Sequence, residues 1–219
     1  PLSLEILVID DNSPDGTGVI ADRLAVEHPG SLFVIHRPGK MGLGTAYLQG
    51  FKYALDRGAD YVIQMDTDFS HSPSYLPIFM DKIRDHDVVV GSRYVAGGSL
   101  DETWSPWRRF LSWWGNCVWV RLILGLKVHD ATGGFKCFRR QVLESILAQE
   151  VRCNGYAFQV EMAYICQTKG FRVLEVPIYF ADRARGKSKM SLSVQLEAAW
   201  RVCEMRLRSP GGPIATRSR

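Results

Sequence analysis

Leu4-Glu-Ile-Leu-Val-Ile-Asp-Asp11 is the stretch from which the rest of the chain is read. Its apolar, β-branched centre lacks the alternation of a half-exposed strand, so it predicts a strand buried on both faces, as in a parallel sheet. Two aspartates end it, the turn Asn12-Ser-Pro-Asp-Gly16 follows, and Thr17 to Glu27 has helical spacing. The unit then recurs. Leu32 to Ile35 predicts a second strand and Gly42 to Arg57 a helix entered through glycines. Tyr61-Val-Ile-Gln-Met65 predicts a third strand ending at Asp66, and Ser72-Pro73 opens a helix through about Arg84, with proline near the first turn where it is tolerated. Asp87 to Gly91 predicts a fourth strand. Strands alternating with helices imply right-handed βαβ units and an α/β fold with a mostly parallel central sheet. Ligands of such sheets bind beyond the carboxyl ends of the strands, where Asp10, Asp11, Asp66 and Asp68 fall.

The second half is less regular. Its pattern predicts a helical region at 106–124, a Gly-rich turn at 132–134, and helices near 140–148 and 157–169. A strand at Phe171 to Phe180, a basic loop at 182–190 and an amphipathic helix at 192–207 follow, and Ser209 to Arg219 reads as a disordered tail. The 219 residues suit one domain, here 1–208. With 46% hydrophobic and 23% charged residues the chain buries a core, which excludes a disordered or fibrous protein.

The net charge of +4 is unevenly placed. Residues 183–219 hold 9 of the Lys and Arg against 2 of the Asp and Glu, leaving 18 against 21 in the body. A basic end suits an anionic partner, though a solvated tail has the same composition. The five cysteines form no CxxC pair and are odd in number, which supports neither a zinc ribbon nor a disulfide framework and suits a reducing compartment. No uninterrupted apolar run reaches the 18 or so residues of a membrane-spanning helix. The nearest, Phe110 to Leu126, is broken by Asn116 and Arg121, and five of the six tryptophans lie in or just before it. Beside Arg108 and Arg109, such a helix either lies among lipid headgroups or covers the domain's own core.

Three segments carry chemistry. Asp66-Thr-Asp68 leaves a strand, where side chains at i and i+2 point the same way, so two carboxylates converge. Hard oxygen ligands of this kind suit Mg²⁺ or Mn²⁺ and through it a diphosphate; an ordinary acidic turn has the same sequence. Asp10-Asp-Asn-Ser13-Pro-Asp15 offers carboxylates to a ribose hydroxyl or a base N–H, or else forms an Asx turn capping a helix. Gly39-Lys-Met-Gly-Leu-Gly-Thr-Ala46 opens a helix with free N–H groups and one lysine, Lys40, which suits phosphate as well as it suits tight helix entry. It fits neither a Walker A loop nor a GxGxxG fingerprint.

Together these segments resemble the dolichol-phosphate (polyprenol-phosphate) mannose synthases of glycosyltransferase family 2. The resemblance runs from about Ile6 to Met190. It is carried by Val8-Ile-Asp-Asp-Asn-Ser-Pro-Asp-Gly-Thr17, Gly39-Lys-Met-Gly-Leu-Gly-Thr-Ala-Tyr47 and Met65-Asp-Thr-Asp-Phe-Ser-His71, and downstream by Gly91-Ser-Arg-Tyr-Val-Ala-Gly-Gly98, Asp130-Ala-Thr-Gly-Gly-Phe-Lys136 and Asp182-Arg-Ala-Arg-Gly-Lys-Ser-Lys-Met190.

The resemblance implies a GT-A-type nucleotide-diphospho-sugar transferase fold in a chain that starts after the family's usual first strand. Residues 1–95 would form the nucleotide-sugar half and 96–208 the acceptor half. It implies a metal-dependent enzyme that transfers mannose with inversion from GDP-mannose to a polyprenyl phosphate, with Asp66 and Asp68 holding Mg²⁺ or Mn²⁺. Asp10, Asp11, Ser13, Asp15, Lys40 and Thr67 would join them around the donor. Arg93, Arg108 and Arg183, with Ser188 and Lys189, would face the acceptor phosphate; Asp68 and the three arginines form the catalytic set. It further implies a protein on the cytoplasmic face of a membrane, in peripheral contact directly or through a membrane-anchoring partner, without nucleic acid. A relative using UDP-glucose or another nucleotide sugar, and an inactive binding subunit, stay open at this point.

Overall fold

The opening run forms β1 (Ile6–Asp10), parallel to β2 (Leu32–His36), with Ile6 opposite Leu32 and Asp10 opposite His36. The computed structural model describes residues 4–149, 151–153, 155–182 and 192–208. Arg183, Ser188, Lys189 and the tail at 209–219 lie outside them. Helix α1 (Thr17–Glu27) makes the crossover between β1 and β2, and α2 (Leu43–Asp56) follows β2. Gly50 lets α2 close onto β1, since a Cβ there would stand 2.8 Å from Ile9 Cδ1.

Next along the chain come β3 (Tyr61–Gln64), a short 3₁₀ turn at Pro73–Tyr75, α3 (Leu76–Lys82), β4 (Val88–Ser92) and β5 (Ser99–Leu100). Helix α4 (Pro106–Trp113) continues through a wider-wound π segment, Trp114–Val120, into α5 (Arg121–Leu124), which ends at Gly125 in the left-handed region. Then follow β6 (Lys136–Arg139), α6 (Arg140–Leu147), α7 (Gly155–Thr168), β7 (Val173–Pro177), β8 (Tyr179–Phe180) and α8 (Leu192–Arg208).

The larger sheet has the order β3-β6-β4-β7, and β5 pairs with β8 in a short parallel ribbon. β4 and β7 are parallel, while β6 runs antiparallel to both of its neighbours. The sequence pattern passes from a glycine turn to a helix without announcing β6. The strand is four residues long and begins with a lysine, so local periodicity is too short to reveal it. Alternation along β4 feeds two cores: Val88 and Val90 pack with Phe51, Phe138, Phe158 and Met162, whereas Val89 packs with Phe79, Phe135 and Ile178. A third cluster joins α5, α7 and α8 through Leu124, Val160, Tyr164, Val202 and Met205. The carboxyl ends of β1, β3 and β4 are left to carry the loops of the site.

Candidate active site

On the β1 side, Asp10 is buried and both its carboxylate oxygens accept from the Ser13 amide at 3.3 Å. Hydrogen bonding from Ser13, with His36 3.7 Å away, holds Asp10 below the usual carboxylate range. Asn12 turns the chain with φ of 56°. Asp11 is gripped by Arg37, Nε to Oδ1 at 2.5 Å and Nη2 to Oδ2 at 2.7 Å. The same guanidinium donates to Thr45 Oγ1 at 2.7 Å and to Gly42 O at 3.3 Å. Arg37 thus ties the aspartate turn to the glycine-rich start of α2. Nothing in the sequence marked it beyond its place just after a strand. Asp15 is exposed and closes the turn ahead of α1, whose N-cap position is Gly16, accepting from Thr17 N at 3.1 Å and Thr17 Oγ1 at 2.7 Å. Lys40 is exposed on the adjoining loop.

The acidic turn differs from the geometry its spacing suggests. Ladder pairing of β3 stops at Gln64 opposite Lys136, so strand alternation does not set Asp66 and Asp68. Asp66 N donates instead to His71 Nδ1 at 3.0 Å, and Phe69, with φ of 65°, turns the chain back. Asp68 Oδ1 accepts from Ser70 N at 3.1 Å and Ser70 Oγ at 2.5 Å, while Thr67 is exposed. The two carboxylates therefore sit on a closed turn stapled at both ends. Because an amide N–H only donates, His71 Nδ1 is the acceptor and its proton rests on Nε2. Burial pushes this imidazole below its ordinary value against the pull of Asp66. Tyr47, stacked on Phe158 at 5.8 Å, directs its hydroxyl to Asp66 Oδ1 at 3.3 Å. Burial, then the Asp66 charge, raises that phenol well above its ordinary value, so it stays a donor.

The cationic side is built on β4 and α4. Arg93 is 9% exposed and clasps Asp130, Nε to Oδ2 at 2.8 Å and Nη2 to Oδ1 at 2.6 Å, with Nη2 also on Thr132 Oγ1 at 3.0 Å. Burial disfavours both charges, yet each partner holds the other ionised: Asp130 lies below the usual range and Arg93 above it. Arg108 lies over the Trp104 ring at 3.5 Å and 3.6 Å from Asp182, the residue before Arg183. The ring of Phe180 joins these parts. His71 packs against it at 5.4 Å, Trp104 at 6.0 Å and the Arg93 guanidinium at 5.2 Å. The structure thus brings the acidic turn, Arg93 and the Trp104–Arg108 pair around one aromatic ring that the sequence reading did not single out.

Two glycines make this junction possible. A Cβ on Gly133 would stand 3.3 Å from Asp130 Oδ1, and one on Gly134 would stand 3.4 Å from Asp66 Oδ1 and 3.6 Å from Oδ2. The absent side chain of Gly134 therefore leaves room beside both oxygens of the Asp66 carboxylate. Among the described residues no group of three or more His, Cys, Asp or Glu side chains is arranged to hold a metal. The carboxylates of Asp66 and Asp68 are hard oxygen ligands of the kind that suit Mg²⁺ or Mn²⁺, with phosphate oxygens and water completing the shell, the usual arrangement for a hard cation on a phosphate substrate.

The model of the family described as "Glycosyl transferase family 2" matches residues 1–147. The chain is 44% identical to polyprenol monophosphomannose synthase of Mycolicibacterium smegmatis over 206 residues, covering 94% of this chain and 77% of that protein. It is 43% identical to undecaprenyl-phosphate mannosyltransferase of Micrococcus luteus over 198 residues, covering 90% and 80%. In fold it is similar to mannosyl-3-phosphoglycerate synthase of Rubrobacter xylanophilus, with a TM-score of 0.64, 18% identity and coverage of 98% and 66%. It is also similar to glucosyl-3-phosphoglycerate synthase of Mycobacterium tuberculosis, crystallised with Mn²⁺ and UDP, with a TM-score of 0.62, 16% identity and coverage of 96% and 70%. The fold is accordingly of the GT-A type, and the chain belongs to glycosyl transferase family 2.

Proposed function

We propose that this chain transfers mannose from GDP-mannose to a polyprenyl, dolichyl-type phosphate with inversion, giving polyprenyl phosphate mannose for glycan or glycolipid assembly. The observation that carries the reading is the convergence of the Asp66–Asp68 turn and the Arg93 and Arg108 side around Phe180. A nucleotide diphosphate suits the first wall and a lipid phosphate the second. The sugar and the acceptor class come from the two relatives above, one named a polyprenol monophosphomannose synthase and the other an undecaprenyl-phosphate mannosyltransferase.

In this reading Asp10, Asp11, Ser13, Asp15, Lys40 and Thr67 line the donor, and Arg37 keeps Asp11 in register with the start of α2. Asp66 and Asp68 would hold Mg²⁺ or Mn²⁺, which when bound offsets charge growing on the departing diphosphate. The acceptor is already largely ionised near neutral pH, because a phosphate monoester has its second pKa at about 6. It therefore needs positioning and charge neutralisation rather than a strong base. Arg108, Arg183, Ser188 and Lys189 supply these together with Arg93, which Asp130 holds in place through its Nε–Nη2 edge. Attack from the face opposite the diphosphate turns an α-linked donor into a β-linked mannosyl phosphate.

No helix among the described residues is long and apolar enough to cross a membrane. We assign membrane contact to an aromatic surface instead. Trp107 and Trp200 are each 66% exposed; Phe110 and Trp114 accompany the first on α4 and its π extension, and Leu196 and Leu207 flank the second on one face of α8. Tryptophan rings beside arginines suit the headgroup layer, here that of the cytoplasmic face, with or without an anchoring partner protein.

The test incubates the chain with GDP-mannose, Mn²⁺ or Mg²⁺ and a short polyprenyl phosphate, and reads mannosyl lipid by mass spectrometry. Product with GDP-mannose is expected. Product from UDP-glucose alone overturns the donor, and GDP binding without product from any donor overturns the activity in favour of a binding subunit.

A further inference from the structure

Beneath the site lies a buried cation that the transfer chemistry above does not use. Lys136, the first residue of β6, is 2% exposed. Its ammonium donates to Gln159 O at 3.1 Å, Gln159 Oε1 at 3.0 Å and Ala131 O at 3.5 Å. All three acceptors are neutral carbonyl oxygens. Burying an ammonium whose direct hydrogen-bond acceptors are all neutral is unfavourable, and a methionine would fill the same volume without that penalty. A residue that breaks the rule for buried charge points to a role outside stability.

The connections made by Lys136 indicate that role. Ala131 lies between Asp130 and Thr132, the two residues that Arg93 holds. Gln159 Oε1 also accepts from Gln64 Nε2 at 2.9 Å, and the same Gln64 nitrogen donates to Gly134 O at 2.9 Å. Gln64 ends β3 two residues before Asp66, and Gly134 lies against the Asp66 carboxylate. The one ammonium, carried by β6, thus holds, directly or through the Gln159 side-chain amide of α7, both the loop that carries Asp130 and the end of β3 that leads to Asp66.

We infer that Lys136 is a positioning residue that sets the spacing between the Arg93–Asp130 pair and the Asp66 turn. The inference rests on the transfer reading, since it assigns those two parts to acceptor and donor. Burial lowers the ammonium to about 8, within the range where transfer is assayed. The charged and titratable groups that face it are Cys166 on α7, Asp130, Arg93 at the end of β4 and Glu175 on β7. Of these, burial pushes the Cys166 thiol up to about 12, and Arg93 is held above its ordinary value by Asp130, so neither changes state near pH 8.

The experiment compares wild type, Lys136→Met, Lys136→Arg and the double variant Lys136→Met/Gln159→Leu. Mannosyl transfer, calorimetric affinity for GDP with Mn²⁺, and melting temperature are measured from pH 6.5 to 9.5. Misplacement of reacting groups by an ångström is worth up to about 100-fold, so Lys136→Met is expected to lower kcat by at least about tenfold and to weaken GDP by at least about threefold at pH 7. Lys136→Arg restores both and lacks the alkaline decline near pH 8 that wild type shows. The double variant, with the Lys136–Gln159 side-chain pair made apolar, recovers the melting temperature but not kcat.

Lys136→Met with kcat and GDP affinity both unchanged overturns the inference. So does recovery of kcat together with melting temperature in the double variant, which would leave Lys136 a stability residue. An alkaline decline that Lys136→Arg shares with wild type overturns it as well. A wild type that binds GDP but makes no mannosyl lipid overturns the transfer reading instead, and the GDP affinities then decide for or against Lys136 on their own.

Discussion

Arg93 and Asp130 form a buried two-point ion pair, and the Arg93 amide adds a third bond to Asp130 Oδ2 at 2.9 Å. The residues are 37 positions apart, so the pair fastens the end of β4 to the loop that carries Gly133 and Gly134 past Asp66. Removing one partner of such a pair strands the other charge. Asp130→Ala is expected to lower the free energy of unfolding by about 3–5 kcal/mol in urea titrations. The apolar double variant Arg93→Met/Asp130→Leu recovers most of that stability without recovering transfer.

Asp68 accepts two bonds from Ser70 at the rim of the site rather than in the core. Asp68→Ala should keep the wild-type circular dichroism spectrum while transfer falls by at least about 100-fold, the scale of losing one charge-stabilising group. Wild-type turnover of this variant at saturating Mn²⁺ removes Asp68 from the metal assignment.

Gly98 touches backbone that cannot move aside. A Cβ there would stand 2.6 Å from Ser92 O and 2.8 Å from the Arg93 carbonyl carbon. Gly98→Ala should destabilise by about 1–3 kcal/mol, as overpacking usually does, and depress transfer through Arg93. Gly115→Ala, with nothing within 4 Å of its would-be Cβ, is the control and should leave the melting temperature unchanged or slightly raised.

Asp101 organises the segment that leads to Arg183. Its carboxylate accepts from Thr103 N at 2.9 Å and Thr103 Oγ1 at 2.7 Å, from Asp182 N at 3.1 Å and from the Tyr179 hydroxyl at 2.8 Å. Hydrogen bonds from Thr103 foremost, then from Asp182 and Tyr179, depress its folded-state pKa. A depressed carboxylate contributes stability that is present above the unfolded pKa of about 3.9 and is lost as pH falls below it. The melting-temperature gap between wild type and Asp101→Asn should therefore be full at pH 6 and shrink between pH 4 and pH 3.

Trp107 and Trp200 are each 66% exposed and lie outside the proposed donor and acceptor residues, so their replacement tests membrane contact. Trp107→Ser/Trp200→Ser should sediment less with phosphatidylserine vesicles while turning over a short, dispersed polyprenyl phosphate at the wild-type rate. Undiminished vesicle binding removes the aromatic surface from the membrane assignment.

Much of the frame was legible in local pattern. The runs ending at Asp10 and Gln64 are strands, as their β-branched apolar residues imply, and Gly42 opens α2 because it adopts a φ of 101° there. But β1 is not buried on both faces: it pairs with β2 in a two-stranded sheet, Leu7 to Ile9 are half-buried and Ile6 is 49% exposed. Strand β6 was not legible, since four residues led by a lysine carry no period. The Asp66–Asp68 relation was misread for a related reason. Spacing i to i+2 implies convergence only while a strand lasts, and the ladder stops at Gln64 because His71 takes the Asp66 amide. Arg37, Tyr47 and Phe180 escaped notice because each acts on a partner well removed along the chain, at 26, 19 and 109 positions respectively for Asp11, Asp66 and His71.

By itself, then, the sequence determined which carboxylates stand at strand ends, which arginines lie downstream and how charge divides between body and tail. Those properties follow from residue type and short-range period. Only the tertiary structure decided that Arg93 is bound to Asp130, that Arg108 lies over Trp104 beside Asp182, and that Lys136 is buried beneath both halves of the site. Which group neutralises a charge depends on the segment that packs against it, and in this fold an antiparallel strand, β6, set between β3 and β4 makes that choice.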